Sequence, residues 1–150
     1  MTQEKDLYLF IRLGEKEEKQ DNIIGRNYIG FSPDITSEEI YNSARGYWWL
    51  DTDKFQRLIR IFIIHDNTVV MEIKPNLETG LMEVTQEQSE ENNIKEGKKY
   101  FEGTYEDTAE FPNDVGQPCS FIWQQNNIKY CTDYEYINEG ILGVPQHDIL

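Results

Sequence analysis

The chain has 150 residues, of which 38% are hydrophobic and 13% aromatic, and it carries a formal net charge of −14 at pH 7. This length supports one hydrophobic core of ordinary size, so a single domain over residues 1–150 is expected. The charge disfavours tight nonspecific binding to DNA or to anionic membranes, because the field of the whole molecule repels polyanions at long range, although a specific local contact depends less on net charge.

The acidity is concentrated in the second half of the chain. Residues 1–75 contain 13 acidic and 10 basic residues, a net charge of −3, whereas residues 76–150 contain 15 and 4, a net charge of −11. No stretch approaches the roughly 20 apolar residues that a membrane helix requires. The apolar run at residues 7–11 is also too short for a signal peptide. The sequence therefore predicts a cytoplasmic protein with no membrane partner.

The first third of the chain predicts two extended segments and one helix. Residues 7–13 are bulky and β-prone, which indicates a first strand, and residues 23–31 suit a second extended segment. Thr36 and Glu39 have the spacing of a capping box, and Gly46 follows the last good helical residue. A short helix over residues 37–44 is therefore expected.

The middle of the chain contains the strongest strand signals. Residues 58–64 and 69–73 are rich in β-branched residues and flank a polar turn, which predicts a hairpin. Its first arm is apolar on both faces except at Arg60. This pattern indicates a central strand that is buried from both sides, and a further strand is expected at residues 81–85.

The remaining elements are a loop and several short strands. Residues 86–97 are polar and acid-rich without apolar periodicity, so we predict a mobile acidic surface loop. Strand character resumes at residues 100–105, 120–124 and 128–131, and Gly103 inside the first of these indicates a close backbone approach or a bulge. The chain is therefore predicted to be α+β, folded as a compact, mostly antiparallel β-barrel with one or two short helices.

Arg45 is the residue that most needs an explanation, because it stands among aromatic residues in an acidic protein. A guanidinium can stack on an aromatic face or pair with a carboxylate such as Asp51 or Asp53, and both roles are structural. It can also reach a planar or anionic ligand with its rigid set of donors. Trp48 and Trp49 are adjacent, so in a strand they would point to opposite faces and one would belong to the core.

The order of these features resembles a small bacterial module that is sometimes found alongside nuclease domains of the GIY-YIG type. The resemblance covers residues 36–131. The pattern of these residues is similar to that of PUA-like β-barrels. The matching segments are Glu39-Ile40-Tyr41, Ala44-Arg45-Gly46-Tyr47-Trp48, residues 58–64 and 69–73, Gly97-Lys98-Lys99-Tyr100-Phe101-Glu102-Gly103 and Asn127-Ile128-Lys129-Tyr130. Members of that superfamily commonly bind RNA or modified DNA bases in an aromatic-lined cleft, so the resemblance implies a binding module and no reaction.

The first functional hypothesis is a non-enzymatic, PUA-like binding module. Its cleft would be built from Arg45, Tyr47, Trp48, Phe101 and Tyr130 and would take a nucleotide, a modified base or a short nucleic acid. An aromatic shelf beside an arginine suits this role, because bases stack on aromatic side chains and arginine binds phosphates and base edges. The sequence shows no catalytic motif, and no cofactor or metal is expected.

The alternative hypothesis starts from the acidity of the second half. The acidic series consists of Glu102, Glu106, Asp107, Glu110 and Asp114. Such a run is most simply a solvated face, and it lacks the fixed spacing of a metal loop. It also suits a phage or mobile-element inhibitor that mimics nucleic acid and binds a nucleic-acid-binding protein, such as a restriction or CRISPR-type nuclease.

Overall fold

A computed structural model describes residues 7–105 and 127–132 of the chain. Its strands are β1 Leu7–Arg12, β2 Glu17–Glu18, β3 Tyr28–Ile29, β4 Leu58–His65, β5 Thr68–Pro75, β6 Leu81–Glu83, β7 Lys99–Phe101, β8 Gly103–Tyr105 and β9 Ile128–Thr132. Its helices are α1 Ser37–Ala44, α2 Thr52–Phe55 and α3 Gln86–Asn92. The predicted first strand, first helix and central hairpin are confirmed. The strand predicted at residues 120–124 lies outside the described residues.

The main sheet is open, and the predicted barrel is wrong. Five strands lie in the order β8-β5-β4-β1-β9, and within the described ranges no pairing joins the two outer strands β8 and β9. β1 and β4 pair in parallel, while the other neighbours in this sheet are antiparallel. A parallel pair needs a long crossover connection, and the chain between β1 and β4 supplies it with α1 and α2.

The burial of the central strands explains why an open sheet forms. Leu9 and Ile61 belong to the larger core cluster, while Phe10 and Phe62 belong to a second cluster, and all four are 0 to 1% exposed. Neighbouring residues in a strand point to opposite faces, so β1 and β4 are buried on both sides, as predicted for β4. Strands that are apolar on both faces are typical of a layered sheet.

Helix α1 covers the face of the sheet that carries the larger core cluster. Thr36 and Glu39 form the predicted capping box, with the Glu39 amide donating to Thr36 Oγ1 over 3.2 Å. Ile40 and Ala44 are buried in the larger core cluster. Their spacing of four residues places them on one side of the helix. Burial of this side fixes the orientation of the C-terminal end of α1 relative to the sheet.

Two further segments differ from the sequence expectation. Residues 86–92 form α3, in place of the predicted loop, and no residue of this helix is buried. An exposed helix shows no apolar periodicity in its sequence. The sequence feature that could have predicted α3 is the capping box between Thr85 and Gln88. The strand expected over residues 100–105 is divided at Glu102, because β7 pairs with β6 while β8 pairs with β5 in the main sheet.

A buried network around Arg26 attaches the segment before β3 to the end of α1. Arg26 Nε donates to Asp21 Oδ2 over 2.7 Å, and both side chains are nearly inaccessible to solvent. Arg26 Nη1 donates to the carbonyl oxygens of Asn42, Ser43 and Gly46 at 2.8, 3.2 and 2.8 Å. These carbonyls lie at the C-terminal end of α1, where the helix leaves acceptors unpaired and favours a positive charge.

Asp21 is the acceptor that completes this network. Its Oδ1 atom accepts hydrogen bonds from the Tyr47 hydroxyl at 2.7 Å and from the amide of Ile24 at 2.9 Å. Burial alone would raise the pKa of Asp21, but these hydrogen bonds and the charge of Arg26 hold it below the usual value of 3.8. The carboxylate is therefore favoured in its ionised form in the folded protein.

Arg26→Met is expected to lower the free energy of unfolding by about 3 to 5 kcal/mol, because it leaves a buried carboxylate without its partner charge. The matched control is Arg12→Met, since Arg12 makes exposed hydrogen bonds to Asn127 Oδ1. That control is expected to cost less than about 1 kcal/mol. Urea denaturation measures both variants, and equal losses would contradict a structural role for the Arg26 network.

Asp21 also predicts a dependence of stability on pH. Its folded pKa lies below its unfolded value, so its contribution is complete above pH 3.8 and is lost as the pH falls through the folded pKa. Asp21→Asn is therefore expected to be less stable at neutral pH and to lose less further stability on acidification. Urea denaturation of both proteins at neutral and acidic pH tests this, and parallel pH profiles would contradict it.

Candidate functional site

Arg45 is held at the junction between α1 and β7. It is the residue that ends α1, and its carbonyl oxygen accepts a hydrogen bond from the Phe101 amide at 2.9 Å. In return, Arg45 Nε donates to the Phe101 carbonyl oxygen at 2.8 Å. Both the main chain and the side chain of Arg45 are thus attached to the same strand residue, and this fixes the position of the guanidinium.

Arg45 forms one wall of an open cleft of about 460 Å³. The other lining residues come from α1, from the end of β5 and from the start of β8: Tyr41, Lys74, Pro75, Asn76, Glu102, Gly103 and Thr104. A volume of this order is typical of sites that bind small molecules. The cleft therefore lies where a helix end meets the outer strand of the main sheet.

The guanidinium of Arg45 keeps hydrogen-bonding capacity on the side of the cleft. Its Nη2 atom is 3.9 Å from Glu102 Oε1, which is longer than a hydrogen bond. Within the described part of the chain, the guanidinium of Arg45 donates a hydrogen bond through Nε alone. Its side chain is 13% exposed, whereas that of Glu102 is 50% exposed. The pair is thus a loose contact at the rim.

Tyr41 and Lys74 add further donors to the same cleft. Tyr41 lies one turn before Arg45, and the guanidinium carbon is 5.3 Å from the centre of the Tyr41 ring. The Tyr41 hydroxyl accepts a hydrogen bond from the Gly103 amide at 3.0 Å, which leaves its own proton free for donation. Lys74 is exposed and forms no ion pair with the residues described here.

The electrostatics of the cleft differ from those of the whole chain. Arg45 and Lys74 contribute two positive charges against the single negative charge of Glu102, while the chain as a whole carries −14. A local excess of positive charge with several donors attracts an anion, and the partial burial of Arg45 limits screening by salt.

Gly103 shapes the wall of the cleft by bringing β8 very close to β5. A Cβ atom at this position would lie 2.5 Å from the Lys74 carbonyl oxygen and 2.6 Å from Ile73 Cγ2. Both contacts are shorter than van der Waals packing allows, so the close backbone approach predicted from the sequence is confirmed.

The other aromatic residues of the predicted cleft lie elsewhere. Tyr47 is buried in the Asp21 and Arg26 network, and Phe101 is fully buried in the larger core. Trp48 packs against that core and donates from Nε1 to the Ala44 carbonyl oxygen at 2.7 Å. Tyr130 packs against it too, and its hydroxyl accepts from the Asp51 amide at 3.3 Å. Of the five predicted residues, Arg45 alone lines the cleft.

The acidic series is described only in part. Glu102 lies at the rim of the cleft, beside Arg45. Glu106, Asp107, Glu110 and Asp114 lie outside the described residues. The residues that sequence reasoning missed are Tyr41 and Lys74. Tyr41 had a usable signal, because residues four apart in a helix face the same way and Tyr41 therefore accompanies Arg45.

Two surveys of the structure bear on other kinds of site. Over residues 7–105 and 127–132, no group of three or more histidine, cysteine or acidic residues is arranged to hold a metal ion. In the same ranges, no helix has the length and the apolar character needed to cross a membrane.

Comparison with known proteins identifies no relative. No family model matches the chain, and no similar curated protein or solved structure was found. The basis for a functional assignment is therefore the chemistry of the cleft itself.

Gly103→Ala is expected to lower the free energy of unfolding by about 1 to 3 kcal/mol, because the new methyl group collides with the β5 backbone. Gly14→Ala is the matched control, since a Cβ atom there meets nothing within 4 Å. Urea denaturation compares the two variants. Equal stability of both would contradict the close packing of β8 on β5.

Proposed function

We propose that the protein is a non-enzymatic binding module whose cleft holds the phosphate group of a nucleotide. The observation that carries this proposal is the state of Arg45. Its guanidinium is fixed through Nε to Phe101, lines a cleft of about 460 Å³, and donates no hydrogen bond from its Nη atoms within the described residues. A partly buried cation with unused donors favours an anionic ligand.

The kinds of donor in the cleft favour a phosphate over a carboxylate. The guanidinium of Arg45 offers a planar pair of N–H groups that matches two oxygens of a phosphate. Lys74 contributes a mobile point charge, and the Tyr41 hydroxyl contributes a further donor. These three donors come from α1 and from β5. They suit a phosphate, which has three terminal oxygens, better than a carboxylate, which has two.

The remaining lining of the cleft leaves room for the group that carries the phosphate. The cleft is larger than a phosphate ion needs, and Pro75 and the edge of Tyr41 supply apolar surface. The ring of Tyr41 already contacts Tyr105, with 5.0 Å between ring centres, and the guanidinium of Arg45, whose carbon is 5.3 Å from the ring centre. Recognition through the phosphate is therefore a stronger expectation than stacking of the base on this ring.

The position of Glu102 favours this proposal over an inhibitor that mimics nucleic acid. A mimic needs carboxylates that are presented to its partner and are not neutralised by the protein's own cations. Glu102 instead lies 3.9 Å from Arg45, at the rim of a cleft with net positive charge.

A nucleoside monophosphate is expected to bind at least about tenfold more tightly than the same nucleoside without phosphate, as measured by isothermal titration calorimetry. Arg45→Met is expected to weaken binding by about 10- to 100-fold, because a hydrogen bond to a charged group contributes about 1.5 to 3 kcal/mol. Lys74→Met, at an exposed position, should weaken it by about two- to fivefold.

The control is Lys54→Met, since Lys54 lies near Tyr130 and outside the cleft. Thermal unfolding of each variant separates loss of the ligand site from loss of the fold. Equal affinity for nucleoside and nucleotide, or unchanged affinity in a folded Arg45→Met protein, would contradict the proposal.

A further inference from the structure

The two large apolar side chains that are exposed in the described residues are both aromatic, and each lies beside a lysine. Trp49 is 57% exposed and Tyr28 is 39% exposed. The Nζ atom of Lys98 is 5.8 Å from the centre of the Trp49 ring, and that of Lys16 is 4.4 Å from the centre of the Tyr28 ring. Neither aromatic residue lines the Arg45 cleft.

Trp49 is exposed although its backbone is well fixed. The preceding residue, Trp48, pairs with Lys99 through two main-chain hydrogen bonds of 3.0 and 2.8 Å. The indole ring of Trp49 lies against the backbone of Gly97, where a Cβ atom would be 3.4 Å from the ring. The ring is thus supported by the main chain and still presents more than half of its surface to solvent.

Lys98 interacts electrostatically with two other lysines, one three residues before it and one on the β2–β3 hairpin. Partial burial lowers the pKa of Lys98, and the positive charges of Lys95 and Lys19 lower it further. Lys19 lies on the β2–β3 hairpin, where its amide donates to the Asn27 carbonyl oxygen, next to Tyr28. The Lys19 backbone is therefore held beside Tyr28, and its charge acts on Lys98, whose Nζ atom is 5.8 Å from the centre of the Trp49 ring.

These parts of the chain are held together by a short contact. The Asn22 amide donates to Asn92 Oδ1 over 2.7 Å, which joins the segment before β3 to the end of α3. Over residues 16–19 and 95–98, four lysines stand against Glu17, Glu18 and Glu96, a net charge of +1 in a chain of −14. We call the surface formed by Tyr28, Trp49, Lys16, Lys19, Lys95 and Lys98 the aromatic–lysine surface.

We propose that the aromatic–lysine surface binds single-stranded nucleic acid, with one unpaired base stacked on Trp49 and the lysines contacting the neighbouring phosphates. Exposed aromatic rings next to cations are the common features of proteins that bind single strands. A duplex keeps its bases stacked on one another, so it offers no base to Trp49. This inference does not depend on the cleft, because it uses none of the cleft residues.

The test is fluorescence anisotropy with a short labelled oligothymidylate at low salt. Wild-type protein is expected to bind it saturably and to bind the corresponding duplex more weakly. Trp49→Ala should weaken binding of the single strand by about 5- to 100-fold, since base stacking on an aromatic ring has this effect. Combined substitution of Lys19, Lys95 and Lys98 by Gln removes three phosphate contacts and should therefore reduce the slope of log K against log salt concentration by about 2.

One control separates this surface from other exposed lysines. Lys54→Met removes a lysine outside both the aromatic–lysine surface and the cleft, and it should leave oligothymidylate binding unchanged. Circular dichroism of each variant verifies the fold. The proposal is overturned by an absence of saturable binding to the wild type, by unchanged binding in Trp49→Ala, or by equal competition from polyglutamate, which would indicate an acidic protein partner.

Discussion

The buried ion pair between Arg26 and Asp21 is the interaction on which the placement of the candidate site depends. Arg26 is bonded to Asp21 at 2.7 Å and to three carbonyl oxygens at the end of α1, while Asp21 also accepts from Tyr47. A buried charge pair contributes little net stability compared with apolar packing. Removing one partner is nevertheless strongly destabilising, because the other charge is then left buried and unpaired. The network therefore fixes where α1 ends and the path of the chain after it. Because Arg45 is the residue at this helix end, the network also fixes the position of Arg45.

The same junction separates the roles of the residues that follow α1. Tyr47 and Trp48 turn inward and satisfy buried polar groups, whereas Arg45 and Trp49 are placed at two different surfaces. The protein is strongly acidic, yet the two surfaces with unused donors or exposed aromatic rings both carry a small excess of positive charge. In an acidic protein such local excesses attract anions at short range while the overall field suppresses nonspecific contacts.

Much of the secondary structure was predictable, because it depends on local signals. The capping box at Thr36 identified α1, and the β-branched runs at residues 58–64 and 69–73 on either side of a polar turn identified the hairpin. The open sheet was not predicted, since the pairing of β1 with β4 is set by long-range packing, although the two apolar faces of β4 pointed to it. In the site, Arg45 was found by its unusual setting. Lys74 was missed because the sequence around an exposed lysine does not indicate which cleft the lysine faces.

The most direct test of the central claim is an NMR titration of isotopically labelled protein with a nucleoside monophosphate. The Nε–H group of Arg45 is observable because it is held on the Phe101 carbonyl oxygen, and the amide of Gly103 reports on the opposite wall. Saturable shifts of both signals are expected with the nucleoside monophosphate, and none with the nucleoside that lacks phosphate. Shifts confined to Trp49 and Lys98, or no shift at Arg45 under saturation, would contradict this claim.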